Sequence, residues 1–180
     1  MGMGDNIIYA PGTIVGDIKQ TIGAERGKPE SRKEQNRKEK KYDVALSYAS
    51  EQEVFVGRVA KILQEEGLEL FYAPDREREY QAQDMCRRFY RIYRYQCEFA
   101  VCFVSKEYLQ KDYTMMEYES SCLKNKDTGK NRMIVVNFDG SNLPCLDPDI
   151  SYIDAKNIRE VQVADHILEI IKYAGGDDYE

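Results

Sequence analysis

From residue 41 onward the chain alternates between short apolar runs and longer segments in which apolar residues recur every three or four positions. "YDVALSYA" (42–49) is almost continuously apolar, the pattern of a parallel strand covered on both faces. Segment 51–67 then carries Val54, Phe55, Arg58, Val59, Ile62 and Leu63 at helical spacing, which predicts a helix capped by Ser50 and ended by Gly67. "LELFYA" (68–73) predicts a second strand, 74–84 a polar loop, and "MCRRFYRIYRYQ" (85–96) a second helix. "CEFAVCFVS" (97–105) is the third strand, and one helix is expected from there to about Lys126. "RMIVVNFDG" (132–140) reads as the fourth strand, "DISYIDA" (149–155) as a weaker fifth, and 158–174 as a closing amphipathic helix. Repeated units of this length predict an α/β fold, an open parallel sheet with helices on both faces. Such sheets bind ligands beyond the carboxyl ends of their strands. The first strand ends on Ser47, Tyr48 and Ala49.

Residues 1–40 follow no such pattern. Two short β-prone runs flank Pro11-Gly12 and suggest a hairpin-like segment, and 24–41 is charge-dense and nearly without apolar residues, as in a linker or a solvated helix. An isolated hairpin is marginal in water, so this one must pack, pair or stay mobile. The expected organisation is an appendage over 1–40, a main domain over 41–176 and a tail over 177–180.

Composition narrows the function classes. A length of 180 residues suits one domain with a small appendage, and 42% hydrophobic with 32% charged residues is globular rather than disordered. The net charge of −6 argues against a general nucleic-acid binder, although a local basic patch would be hidden in that figure. The longest apolar run, "FAVCFV" (99–104), is too short for a bilayer, and no secretory pattern opens the sequence, so a cytoplasmic location without membrane partners is expected. The five cysteines, Cys86, Cys97, Cys102, Cys122 and Cys145, form no CxxC pair or zinc spacing and read as free thiols. His166 is the only histidine, which rules out a multi-histidine metal site and leaves hydrolytic triads dependent on one residue at the surface of the last helix.

The remaining chemistry lies in "DYTMMEYESS" (112–121). At 100° per residue, Leu109, Tyr113, Met116, Ser120 and Leu123 form one stripe, the expected core face. Glu117 and Glu119 flank it at nearly equal angles, so the wheel does not choose between them. Tyr113, one turn before Glu117 on the same side, gives only that carboxylate an aromatic neighbour. Glu119 neighbours Asp112 and Met115, an ordinary solvated edge. A carboxylate beside a ring, without histidine or metal ligands, suits cleavage of an N-glycosidic bond. The acid stabilises a cationic sugar and the ring stacks on the leaving base. Nicotinamide in NAD is already positive and needs no general acid to leave.

A resemblance runs through the same segments. "KYDVALSYAS" resembles the first conserved box of Toll/interleukin-1 receptor (TIR) domains. "FVSKEYLQKDYTMMEYE" is similar to the strand–helix segment of bacterial TIR domains, and "SYIDAKN" resembles the "GYIDLR" element that closes them. The resemblance covers about 41–173 with its elements in order. It implies a flavodoxin-like five-stranded fold, Glu117 as the catalytic glutamate, and Tyr113 in place of a usual tryptophan. It also implies Ser47, Tyr48 and Ala49 along the nucleotide pocket, and the BB loop over "PDREREYQAQD". Bacterial relatives commonly carry Trp-Gly-Lys where this chain has "YQA" (80–82); there Tyr80 offers the stacking ring, without the glycine and lysine.

Three functions stay open on these residues. The first is an NAD glycohydrolase, releasing nicotinamide and ADP-ribose or a cyclised form, with NAD as substrate and no cofactor. The resemblance adds anti-phage defence, assembly into homo-oligomers through TIR–TIR contacts and a separate activator protein or signal. The second is a non-catalytic TIR module signalling by self-association. The third is a nucleoside deoxyribosyltransferase-like enzyme. A phosphoacceptor receiver is disfavoured, because the third strand ends "CFVS" without an aspartate.

Overall fold

A computed structural model describes residues 40–72, 82–144, 146 and 150–176. The expected hairpin within 1–40, Tyr80 and most of the proposed BB loop lie outside the described residues.

Five parallel strands form one sheet in the order β2-β1-β3-β4-β5, with β1 Tyr42–Tyr48, β2 Leu70–Phe71, β3 Cys97–Val104, β4 Met133–Asn137 and β5 Ser151–Asp154. This is the open parallel α/β sheet expected from the alternating pattern, in the flavodoxin-like five-stranded form that the resemblance implies. Chain direction across the sheet reverses between β1 and β3, so the switch point lies where those strands end. There Ser47 pairs with Cys102 and Tyr48 with Phe103.

The strands separate two chemically different faces. One face shows Val44 and Leu46 of β1 and Phe99, Val101 and Phe103 of β3. They pack on α1 (Glu53–Glu65) through Val56, Val59, Ala60 and Leu63, and on α5 (Glu160–Gly176) through Val163, Ala164 and Ile167. Each large side chain enclosed there contributes about 1.5–3 kcal/mol of hydrophobic stabilisation. The opposite face of the same strands carries Ala45, Ser47, Ala49, Ala100 and Cys102, all small. That leaves depth for the buried tyrosines Tyr93, Tyr108 and Tyr118. The covering elements are α2 (Ala82–Arg91), the wide π-type turns of Ile92–Gln96, α3 (Lys106–Leu109) and α4 (Asp112–Thr128).

Three expectations need correction. The second strand shrinks to two residues at the sheet edge. Ser50 does not cap the first helix: it opens a short 3-10 turn, Ser50–Gln52, and its hydroxyl accepts from Lys111 Nζ at 2.6 Å. The single helix expected after the third strand is two, because Lys111 is extended (φ −103°, ψ 123°) and restarts the chain at Asp112. Gly67 does follow the first helix, at φ +87°, a conformation costly for any residue with a Cβ.

Candidate active site

The break between α3 and α4 builds the site. Ser105, at the end of β3, caps α3 by accepting from the Tyr108 N–H at 3.2 Å. After the extended Lys111, the first turn of α4 returns over Tyr108. Thr114 Oγ1 donates back to the carbonyls of Tyr108 and, at 2.9 Å, Lys111. Lys111 Nζ also reaches Glu51 at 2.7 Å, fastening the start of α4 to the turn after β1. Hydrogen bonding to that ammonium holds the Glu51 carboxyl below its ordinary value.

The inner face of α4 is Thr114, Glu117, Tyr118, Ser120, Ser121 and Lys124. The expected apolar stripe is wrong by roughly a quarter turn. Leu123 is exposed, while Tyr113 and Met116 are half-buried against the cluster of Phe71, Phe89 and Tyr93. Glu117 is therefore not on a flank but at the centre of the buried face, 7% exposed. Glu119 is exposed, as expected.

Ser47 Oγ donates to Glu117 Oε2 at 2.5 Å, the short length typical of a hydroxyl on a carboxylate. Ser47 Oγ also lies 2.8 Å from the Tyr108 hydroxyl, which is 3.1 Å from the Thr114 carbonyl. Tyr93 donates to the Leu46 carbonyl at 2.8 Å beneath this group. Burial, and then the Glu117 charge, push the ionisation of Tyr93 well above the ordinary value. Burial raises Tyr108 likewise, followed by Cys102 and Glu117. Burial pushes the Cys102 thiol up to about 12, with Glu117 adding and the Tyr108 hydrogen bond opposing. The groups around the carboxylate are thus neutral donors at physiological pH.

Of the residues expected along the pocket, Ser47 and Ala49 are wholly enclosed. The Ser47 hydroxyl is committed to Glu117 and Tyr108, so its contribution passes through the carboxylate. Tyr48 is half-buried and packs with Tyr72 against the core on the α1–α5 face of the sheet, ring centroids 5.6 Å apart. Gly57 of α1 makes room for this pair, since a Cβ there would stand 2.8 Å from the Tyr72 hydroxyl. Tyr113 lies one turn before Glu117 on α4, and Tyr80 is outside the described residues. The structure adds Tyr108, Tyr93 and Cys102 to the site. Cys102 gave no signal beyond its apolar strand, and Tyr93 and Tyr108 stand in the charged segments "RIYRYQ" and "KEYLQKD", which do not announce buried phenols.

The profile of the TIR domain family matches residues 44–168, from β1 into α5. The chain belongs to the TIR domain family. A curated relative, the 3' cyclic ADP-D-ribose synthase AaTIR of Aquimarina amphilecti, is 30% identical over 123 residues. The match takes in 68% of this chain and 38% of that protein, so the TIR domain spans well under half of the relative's length. Among solved structures, the TIR domain of the Toll-related receptor TRR-2 from Hydra magnipapillata superposes with a TM-score of 0.52. It is 13% identical, over 73% of this chain and 99% of that one, a likeness of fold alone. No helix among the described residues of this TIR domain is long and apolar enough to cross a membrane.

Proposed function

We propose that this TIR domain is an NAD glycohydrolase in which Glu117 is the catalytic carboxylate. The observation that carries the reading is a buried acid on the inner face of α4, held by Ser47 where β1 and β3 end. The bond between the ribose C1′ and the nicotinamide nitrogen breaks with its electron pair leaving on nicotinamide, which becomes neutral. Positive charge stays on the ribose, and the carboxylate stabilises it. Water then adds at C1′ and loses a proton to give ADP-ribose, or a hydroxyl of the same molecule adds and closes a ring. The name of the Aquimarina relative supports the ring-closing outcome. Tyr113, Tyr48 and Tyr80 are the rings offered to the nicotinamide and the nucleotide. The reaction needs no metal or cofactor, with NAD as its only organic substrate.

Membership of the family supports self-association as the switch that completes the site, with a separate protein or signal as trigger and anti-phage defence as the setting. The test is nicotinamide release from NAD by concentrated protein, with Glu117→Gln and Glu119→Gln alongside. Release lost only in Glu117→Gln is the expected result. If the parent chain releases none at high concentration under crowding, the domain is a signalling scaffold. Base exchange on deoxynucleosides without NAD loss would identify a deoxyribosyltransferase instead.

A further inference from the structure

We propose that Tyr108 is a positioning residue that acts on Glu117 through Ser47, in a hydrogen-bonded series running from α3 across β1 to α4. Its catalytic meaning rests on the reading above, but its geometry does not. The inference follows from counting protons. Ser47 has one hydroxyl proton, and at 2.5 Å from Oε2 that proton belongs to the carboxylate. Toward Tyr108 the serine can then only accept, so at 2.8 Å the phenol must donate. Tyr108 has no second proton for the Thr114 carbonyl at 3.1 Å.

When Glu117 takes up a proton the series reverses. Glu117 donates to Ser47, Ser47 to Tyr108, and Tyr108 to the Thr114 carbonyl. Ser47 keeps one donated and one accepted bond in either charge state, and Tyr108 keeps its donated bond and changes only its acceptor, so the series follows the charge of Glu117 without stranding a hydroxyl proton. Every member is enclosed: Ser47 and Tyr108 at 0%, Thr114 at 4% and Glu117 at 7% exposure. With these groups shielded from bulk solvent, deleting a hydroxyl takes a hydrogen bond from the series, and the loss falls on the carboxylate. The other titratable groups facing Glu117 are Tyr48 of β1, Tyr93 of the turns after α2 and Cys102 of β3, each with its proton held by burial.

The deciding measurement is the carbon-13 titration of the Glu117 side-chain carboxyl, assigned with Glu117→Gln, in the parent, Ser47→Ala, Tyr108→Phe and the double variant. Ser47→Ala removes a donor from the ionised form and should raise the midpoint by about one unit or more. Tyr108→Phe should change the midpoint in the parent and leave it unchanged in the Ser47→Ala background, the non-additivity of residues acting in series. Nicotinamide release should follow the same rule, with the double variant no slower than Ser47→Ala. An unmoved midpoint in Ser47→Ala overturns the proposal, and so does an undiminished Tyr108→Phe effect in the double variant. Should Ser47→Ala fail to fold, Ser47→Cys keeps the volume with a weaker donor and should shift the midpoint the same way, by less. A parent that never releases nicotinamide removes the glycohydrolase reading while the titration still decides the anchor.

Discussion

Glu117 and Lys124 sit two turns apart on the inner face of α4, each nearly enclosed, yet their surroundings differ in kind. Lys124 Nζ donates to the carbonyls of Cys97 and Glu98 and lies 3.7 Å from Cys97 Sγ, where β3 begins. Its three protons face three acceptors of the protein itself, two of them main-chain, so the cation ties the helix to the start of a strand. Glu117 stands at the other end of that strand, held by a side-chain hydroxyl at the switch point. A buried charge on a helix is therefore no sign of chemistry by itself. What separates the two is which end of the sheet each faces.

The contrast is broken most directly by neutralising each charge in turn. Glu117→Gln should lower nicotinamide release about a hundred- to a thousandfold. Lys124→Met should leave the rate of the folded fraction within about twofold, because Lys124 is far from the acid along the helix. Comparable losses of rate in both would abolish the distinction. Stability should answer in reverse, with Lys124→Met costing about 1–3 kcal/mol in urea unfolding through the carbonyls it strips of a donor.

Alkaline pH sharpens the comparison at the Glu117 end. Tyr93, Tyr108 and Cys102 bind their protons more tightly folded than unfolded. Above pH 9 the unfolded chain releases the Cys102 proton first, so the folded state holds more protons and stability falls as pH rises, through about 12 for that thiol. Each such group contributes a slope of about 1.4 kcal/mol per pH unit while it lasts. Urea midpoints measured from pH 8 to 11 should decline, and Tyr108→Phe should decline less steeply; equal slopes would place the alkaline weakness elsewhere.

The smallest effects concern the rim. Tyr113→Ala should raise the KM for NAD about fivefold, the worth of one ring contact, whereas Tyr113→Trp should hold or lower it. Glu119→Gln should change neither rate nor stability by more than about 0.5 kcal/mol, and a larger loss would return that residue to candidacy.

The fold was readable because β1, β3 and β4 are written as apolar runs and α1 and α5 as apolar stripes. Residues and periodicity carry the same message there. On α4 they do not. Its buried face is made of hydroxyls and two charges, each satisfied by a hydrogen bond, so a search for apolar periodicity selects Leu123 and misses Lys124. Glu117 was reachable only through its spacing to Tyr113 and the family resemblance. Ser47 was singled out as a ligand contact, but the pattern could not show that its hydroxyl would turn inward. The helix break at Lys111 has no proline or glycine to announce it. Its cause is tertiary: Thr114 reaches back to the Tyr108 and Lys111 carbonyls, and Lys111 reaches out to Ser50 and Glu51.

Cys102 faces Ser47 across the β1–β3 ladder, fully enclosed and with its thiol held protonated, whereas Cys86 and Cys122 are only half-buried. Alkylating reagents consume thiolates, so this sulfur is unreactive as long as the layer of α4 above it stays closed. Its labelling rate then records how often that layer opens, at a position directly beneath the candidate carboxylate. A mass spectrum taken after timed exposure to iodoacetamide reads that opening from one atom the protein already carries.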